Sequence, residues 1–289
     1  MTIREMRCGA RRMRFGERTL VMGVLNVTPD SFSGDGLLVG PDWLDRVVET
    51  GRRMVADGAD LLDVGGESTR PGSDPVPVEE ELRRVVPAVA ALRDAVQVPI
   101  SVDTTKAEVA RAALAAGADL VNDVSALRFD PEMARVVAEA GCPVVLMHMK
   151  GTPKDMQRDP QYRDVVAEVR DFLAERIRWA EARGIRRDQV IVDPGFGFGK
   201  RPEHNLALVR HLSALRDLGC PVLLGPSRKS TIGIVLGGLP PAERVEGTAA
   251  VVALAVAFGV DVVRVHDVRA MVRVVRVADA VVRGWNPVG

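Results

Sequence analysis

Cysteine and lysine are both scarce in this chain of 289 residues. The three cysteines, Cys8, Cys142 and Cys220, are too few, and odd in number, for a disulfide framework. Cys142 and Cys220 each lie in Gly-Cys-Pro before an apolar run, as small buried packing residues do. A reducing, cytoplasmic location is expected. Net charge is also lacking: 39 basic residues balance 39 acidic ones, so no global field favours nucleic acid. No apolar run reaches the roughly 18 residues of a membrane span. Residues 1–18 carry six arginines but no apolar stretch, so a signal peptide is not expected. No GxGxxG follows the first predicted strand, and GxSxG is absent. No grouping of Cys, His and carboxylates has transition-metal spacing. PGFGFGK (194–200) is not a Walker A loop, because no Ser or Thr follows Lys200. Its glycines suit close approach of backbone to a flat ligand. Phe196 and Phe198 there read either as packing or as part of that surface. No linker or low-complexity tract marks a second domain.

What is present is regular. Predicted strands at 19–27, 60–65, 98–103, 119–124, 143–148, 189–194, 221–225 and 261–266 are rich in Val, Ile and Leu on both faces. That is the pattern of parallel strands covered by helices. Helical patterns separate them at 41–56, 79–95, 106–116, 131–140, 161–183, 203–217, 241–258 and 268–283. Pro131, Pro202 and Pro241 mark helix starts, and glycines such as Gly58, Gly117 and Gly259 mark helix ends. A weak repeat, Gly-x-Asp before a strand, recurs at 58–60, 117–119 and 259–261. Eight such units predict an α/β fold, a single (β/α)8 TIM barrel over 1–289. An open doubly wound sheet is the alternative. Residues 1–18 are expected to form a short N-terminal hairpin closing the barrel bottom, and 284–289 a frayed tail.

Each strand ends in a polar cluster, and in a barrel those ends share one mouth. The five lysines (Lys106, Lys150, Lys154, Lys200 and Lys229) all follow predicted strands, against thirty-four arginines elsewhere and among them. Two subsets make chemical sense. Asp103, Asn122 and Asp193 are acceptors suited to a guanidine-like or aminopyrimidine edge, although either Asp could instead cap a helix. Arg264, His266 and Asn26 come from neighbouring strands and suit a phosphate or diphosphate. For Arg264 a structural ion pair with an Asp stands as the other reading. A hard cation such as Mg2+, held by one Asn and a diphosphate, fits better than a transition metal. His148 has no assigned role.

The motifs LNVTPDSFS (25–33), DVGGESTRPG (63–72), SVDT (101–104), NDVS (122–125), HMKGTP (148–153), DPGFGFGK (193–200), SRKS (227–230) and RVHDV (264–268) resemble, in order and over nearly the whole chain, those of the dihydropteroate synthases. The resemblance implies condensation of 6-hydroxymethyl-7,8-dihydropterin diphosphate with p-aminobenzoate, with Mg2+ required. Carried over by motif, Asp103, Asn122, Asp193 and Lys229 would hold the pterin. Asn26 would reach the Mg2+-diphosphate, and Arg264 and His266 the diphosphate. Thr69, Arg70, Pro71, Phe32 and Ser230 would border the p-aminobenzoate. Asp103, Lys229, Arg264 and His266 form the catalytic set. The family implies a cytoplasmic homodimer inhibited by sulfonamides. The loops at 26–40 and 66–78 are long and rich in Gly, Pro and Ser, and are expected to be mobile and to order over the diphosphate. Two departures stand out: SFSGDG (31–36) replaces the commoner SFSDGG, and Gly225-Pro226 precedes SRKS. A pterin-dependent methyltransferase and a non-catalytic pterin-binding paralogue are the alternative readings.

Overall fold

The computed structural model describes residues 4–29, 36–70 and 72–285. Strands β1 (Arg4–Cys8) and β2 (Arg11–Phe15) form an antiparallel hairpin. Eight parallel strands follow: β3 (Leu20–Asn26), β4 (Leu61–Gly65), β5 (Ile100–Asp103), β6 (Leu120–Asp123), β7 (Val144–Met147), β8 (Val190–Asp193), β9 (Leu223–Leu224) and β10 (Val262–Val265). They pair in the order β8-β7-β6-β5-β4-β3-β10-β9. A parallel bridge between Val192 and Val222 closes the ring. The expected barrel is therefore present, and the open sheet is not.

Each strand falls within the range expected from its apolar run, because both of its faces are buried. Met22, Leu61, Leu120, Val145, Ile191, Leu223 and Val262 point into the barrel and meet Met6, Cys8, Met13 and Phe15 of the hairpin. Alternate hairpin residues are exposed, so period-two patterning makes a plug with one dry face. A fully buried side chain of this kind contributes roughly 1.5–3 kcal/mol. The outer strand faces pack against helices α1 (Trp43–Ala56), α2 (Val78–Ala95), α3 (Ala107–Ala115), α4 (Met133–Ala140), α5 (Val165–Glu181), α6 (Pro202–Arg210), α8 (Val245–Ala257) and α9 (Val268–Arg283), while the short α7 (Ser230–Val235) lies against α6 and α8. All three cysteines are buried and unbridged.

The Gly-x-Asp repeat has a structural cause. Gly58, Gly117 and Gly259 take left-handed backbone conformations that end their helices. The Asp two residues later accepts a backbone N–H within one residue of the start of the neighbouring strand: Val21 N–H to Asp60 (2.8 Å), Ile100 N–H to Asp119 (2.9 Å), and Val222 N–H to Asp261 (2.9 Å). One turn thus sets the stagger of three strand pairs. Asp119 also binds Arg11 of the hairpin at 3.2 Å and Arg93 at 2.9 Å, tying the plug to the barrel.

Three helical expectations need correction. The stretch 203–217 is α6 followed by a 3-10 segment, Leu212–Leu218, because the helix ends at His211. The stretch 241–258 opens as a 3-10 turn at Pro241–Glu243 before α8. The six-residue α7, directly after SRK, was not expected; glycines and prolines on its C-terminal side mask so short a helix.

Candidate active site

The C-terminal strand ends open on a cavity of about 490 Å³. Strand register places Asn26 beside Gly65, Gly65 beside Asp103, and Asp103 beside Asn122, so four strands bring these residues to one level. Asn26, Thr69, Arg70, Asp103, Lys229, Ser230, Arg264 and His266 all line the cavity. Asn122 and Asp193 are buried and do not line it. Phe32 and Pro71 lie outside the described residues.

The two sequence-derived subsets are not separate. Arg264, expected at a diphosphate, donates to Asp63 Oδ2 at 2.6 Å and to Asp103 Oδ2 at 2.8 Å. Asp63 Oδ2 also accepts from Asn122 Nδ2 at 3.1 Å. The ion-pair reading of Arg264 therefore holds. Asp103 does not cap α3, which begins at Ala107 without a side-chain cap. Its Oδ1 is buried and meets no hydrogen-bond partner among the described residues, and Asp63 Oδ1 is the same. Burial pushes the Asp103 carboxyl up to about 7; Arg264 opposes the shift, and Asp63, Glu81 and Asp123 add to it. Asp193 is also raised by burial, against the pull of Lys229 and the Gly195 N–H, which donates to it at 2.7 Å.

Lys229 is aimed by an unusual backbone. Arg228 before it has φ of +59°, a left-handed conformation that a non-glycine residue adopts at a cost. Two bonds to Asp267 (2.9 and 2.6 Å) and one from Arg244 to the Arg228 carbonyl (2.8 Å) hold it there. Lys229 Nζ donates to the Phe196 carbonyl and lies 4.4 Å above the Phe198 ring. Phe196 is core packing, whereas Phe198 lines the cavity. Burial draws the Lys229 ammonium down to about 7, with Asp193 resisting. Ser227 Oγ accepts from the His266 backbone N–H at 3.1 Å and sits 3.0 Å from Nδ1.

The loop after β4 is anchored at its base. Lys106 Nζ binds Glu67 at 2.6 Å and the fully buried Glu81 at 2.5 Å. Glu67 also accepts the Val76 N–H at 2.7 Å, and Ser73 Oγ donates to the carbonyls of Ser68 and Arg70. Asp63, Arg244 and the Lys106 anchor were not anticipated as parts of the site. A lone acid inside the apolar run LLDVGG is the one signal that pointed to Asp63. His148, left without a role, is buried with Nδ1 2.9 Å from Lys200 Nζ.

Residues 22–266 match the family described as pterin binding enzymes. The chain is 48% identical over 269 residues to the dihydropteroate synthase of Synechocystis sp., covering 93% of this chain and 92% of that protein. It superposes on Xanthomonas albilineans dihydropteroate synthase with 4-aminobenzoic acid at a TM-score of 0.89 and 49% identity, covering 97% of this chain and 98% of that one. It likewise superposes on the Yersinia pestis dihydropteroate synthase in a sulfonamide drug complex, at a TM-score of 0.91 and 42% identity, covering 96% and 98%. With the barrel, the register and the cavity in place, the chain belongs to the pterin-binding enzymes and, within them, to the dihydropteroate synthases.

Proposed function

We propose that this protein condenses 6-hydroxymethyl-7,8-dihydropterin diphosphate with p-aminobenzoate to give 7,8-dihydropteroate and diphosphate, a transferase step of folate biosynthesis. Asp103 carries the reading. It lines the cavity, gives one oxygen to Arg264, and keeps a second, buried oxygen without a partner among the described residues. A buried acceptor left open is costly, and the N–H donors of a pterin edge would satisfy it. Asn122, Asp193 and Lys229 would complete the pterin floor.

In the reaction, the bond between the pterin methylene carbon and the diphosphate oxygen breaks, and the electron pair leaves with diphosphate. The amine lone pair of p-aminobenzoate closes on the same carbon, and the amine sheds a proton. Asp103 would steady positive charge on the methylene, while Arg264 and His266 would hold the leaving group. Catalysis here is positioning and preorganised charge rather than strong base chemistry. Thr69, Arg70 and Ser230 border the cavity where p-aminobenzoate would sit. The Xanthomonas and Yersinia complexes support that ligand class and make sulfonamides the expected inhibitors.

Mg2+ fits this site as a guest of the diphosphate. Among the described residues, no group of three His, Cys, Asp or Glu could hold a metal alone. Mg2+ is content with one protein oxygen plus phosphate and water oxygens, and Asn26 lines the cavity. Bound there, it would neutralise charge on the leaving diphosphate. A homodimer is supported by the exposed apolar residues Ile234, Val235, Leu254, Val277 and Val281 on α7 to α9. A cytoplasmic setting agrees with three unbridged cysteines and with no helix among the described residues long and apolar enough to cross a membrane.

The test is direct: purified protein, both substrates and Mg2+, with dihydropteroate as readout. Product formation that is inhibited by a sulfonamide competitively with p-aminobenzoate is expected. No product at high protein concentration would overturn the reading.

A further inference from the structure

Lys200 ends the glycine-rich turn after β8, yet its side chain lies inside the protein, with the residue 2% exposed. Its Nζ is 2.9 Å from the Phe198 carbonyl, 3.0 Å from that of Gly195 and 3.2 Å from that of His148. It is also 2.9 Å from His148 Nδ1. A buried amine is expensive unless its protons are all placed, and here three carbonyl oxygens and an imidazole nitrogen surround it. Both Lys200 and His148 are pushed well below their usual pKa values, chiefly by burial. Neither residue lines the active-site cavity.

What Lys200 holds is informative. Gly195 and Phe198 are the two ends of one tight turn, closed by the Phe198 N–H to the Gly195 carbonyl at 3.0 Å. Lys229 lies against this same turn. It donates to the Phe196 carbonyl and stacks over the Phe198 ring. Its Cδ would stand only 2.9 Å from a Cβ built on Gly197. The turn is thus gripped by one lysine and supports the other. His148 fixes it a second way: a Cβ on Gly195 would lie 1.9 Å from the His148 carbonyl oxygen, so backbone meets backbone there. The imidazole is itself held edge-on to Phe172, at 4.9 Å between ring centres.

We propose that Lys200 and His148 are positioning residues, an amine–imidazole clamp that sets the 195–198 turn and, through it, the place of Lys229 at the pterin end of the cavity. The proposal rests on the reading of Lys229 as a pterin ligand. It accounts for a lysine buried away from the cavity wall, and gives His148 its role. Thr69 and Arg70, at the p-aminobenzoate end, stand on a different loop, the one after β4, which is anchored by Lys106. Loss of the clamp therefore weakens one substrate and spares the other.

The experiment compares wild type with Lys200→Met and His148→Asn. Methionine fills the space without charge, and replacing buried charge by an apolar residue of similar volume is often tolerated. Asparagine keeps a polar atom near the Nδ1 position. Steady-state constants for both substrates, calorimetric binding of the dihydropterin diphosphate and thermal melting are measured. For Lys200→Met, KM for the dihydropterin diphosphate rises about tenfold while KM for p-aminobenzoate stays within about twofold. His148→Asn moves in the same direction by less. A wild type that makes no dihydropteroate removes the functional reading itself. An active wild type with a folded Lys200→Met whose two KM values are unchanged, or rise in equal proportion, overturns the clamp. If Lys200→Met does not fold, His148→Asn decides by the same split.

Discussion

Arg264 Nε lies 2.6 Å from Asp63 Oδ2, and Asp63 has no exposed surface. The guanidinium at the cavity is therefore held from beneath by a carboxylate that does not line the cavity. The same oxygen takes the Asn122 amide, so Asp63 links the cation proposed for the diphosphate to the proposed pterin floor. Asp63→Ala is expected to lower kcat/KM by roughly 10–100-fold, about 1.4–2.7 kcal/mol of transition-state stabilisation. It leaves the Asn122 amide unpaired and costs roughly 1–3 kcal/mol of stability. Steady-state kinetics and urea unfolding measure the two effects. Unchanged kcat/KM would remove Asp63 from the site.

The pH dependence follows from two groups displaced in opposite directions. Asp103 is raised to about 7 and faces Arg264, Asp63, Glu81 and Asp123. Lys229 is lowered to about 7 and faces Asp193, Arg264 and Asp103. Below pH 7 Asp103 gains a proton and loses its charge; above pH 7 Lys229 loses its proton and its charge. The doubly charged form peaks near neutrality. Because kcat/KM reports the free enzyme, its profile for the dihydropterin substrate should be a narrow bell centred near pH 7. In the residual activity of Asp103→Asn the acid limb should vanish, and in that of Lys229→Met the alkaline limb. A flat profile from pH 6 to 8 would contradict both assignments.

Lys106 is expected to matter for the other substrate. It bridges Glu67 at the root of the loop after β4 and the fully buried Glu81 of α2. Lys106→Met leaves Glu81 without its cation, a loss that for a buried pair costs roughly 3–5 kcal/mol. It also loosens the segment that carries Thr69 and Arg70. The expected outcome is a lower melting temperature, faster proteolysis near residues 66–77 and a larger rise in KM for p-aminobenzoate than for the dihydropterin diphosphate. Limited digestion with mapping of the cut sites separates this from general destabilisation.

The barrel was legible in the sequence because buried parallel strands leave unbroken apolar runs, and because helix ends are marked by glycines such as Gly58 and Gly117. The residues at the strand ends were legible for the same reason: charge and amide groups interrupt those runs at one end. What stayed hidden depends on partners remote in the chain. Arg264 and Asp63 are 201 positions apart, and Lys200 and His148 are 52. Nothing local to either residue distinguishes an ion pair from an anion site, and Arg264 serves the first while remaining placed for the second. Phe196 and Phe198 show the limit at short range. They lie two positions apart in one turn, yet one enters the core and the other the cavity wall.

Helix α9 is apolar on two sides. Met271, Val272 and Val275 pack inward, while Val277 and Val281, one turn apart, are 66% and 80% exposed, and Trp285 continues the stripe at 75%. Leu254 of α8 and Ile234 and Val235 of α7 add exposed apolar surface. The monomer draws little stability from such side chains, so a charge there should not unfold it. Buried in a symmetric contact, the same charge meets its own copy in apolar surroundings and opposes association. Val277→Asp combined with Val281→Asp is therefore expected to convert a wild-type dimer into a monomer of 31.2 kDa with an unchanged circular dichroism spectrum. Sedimentation equilibrium reads the mass. A double variant that still sediments as a dimer would move the interface away from α9, and a monomeric wild type would remove the dimer altogether.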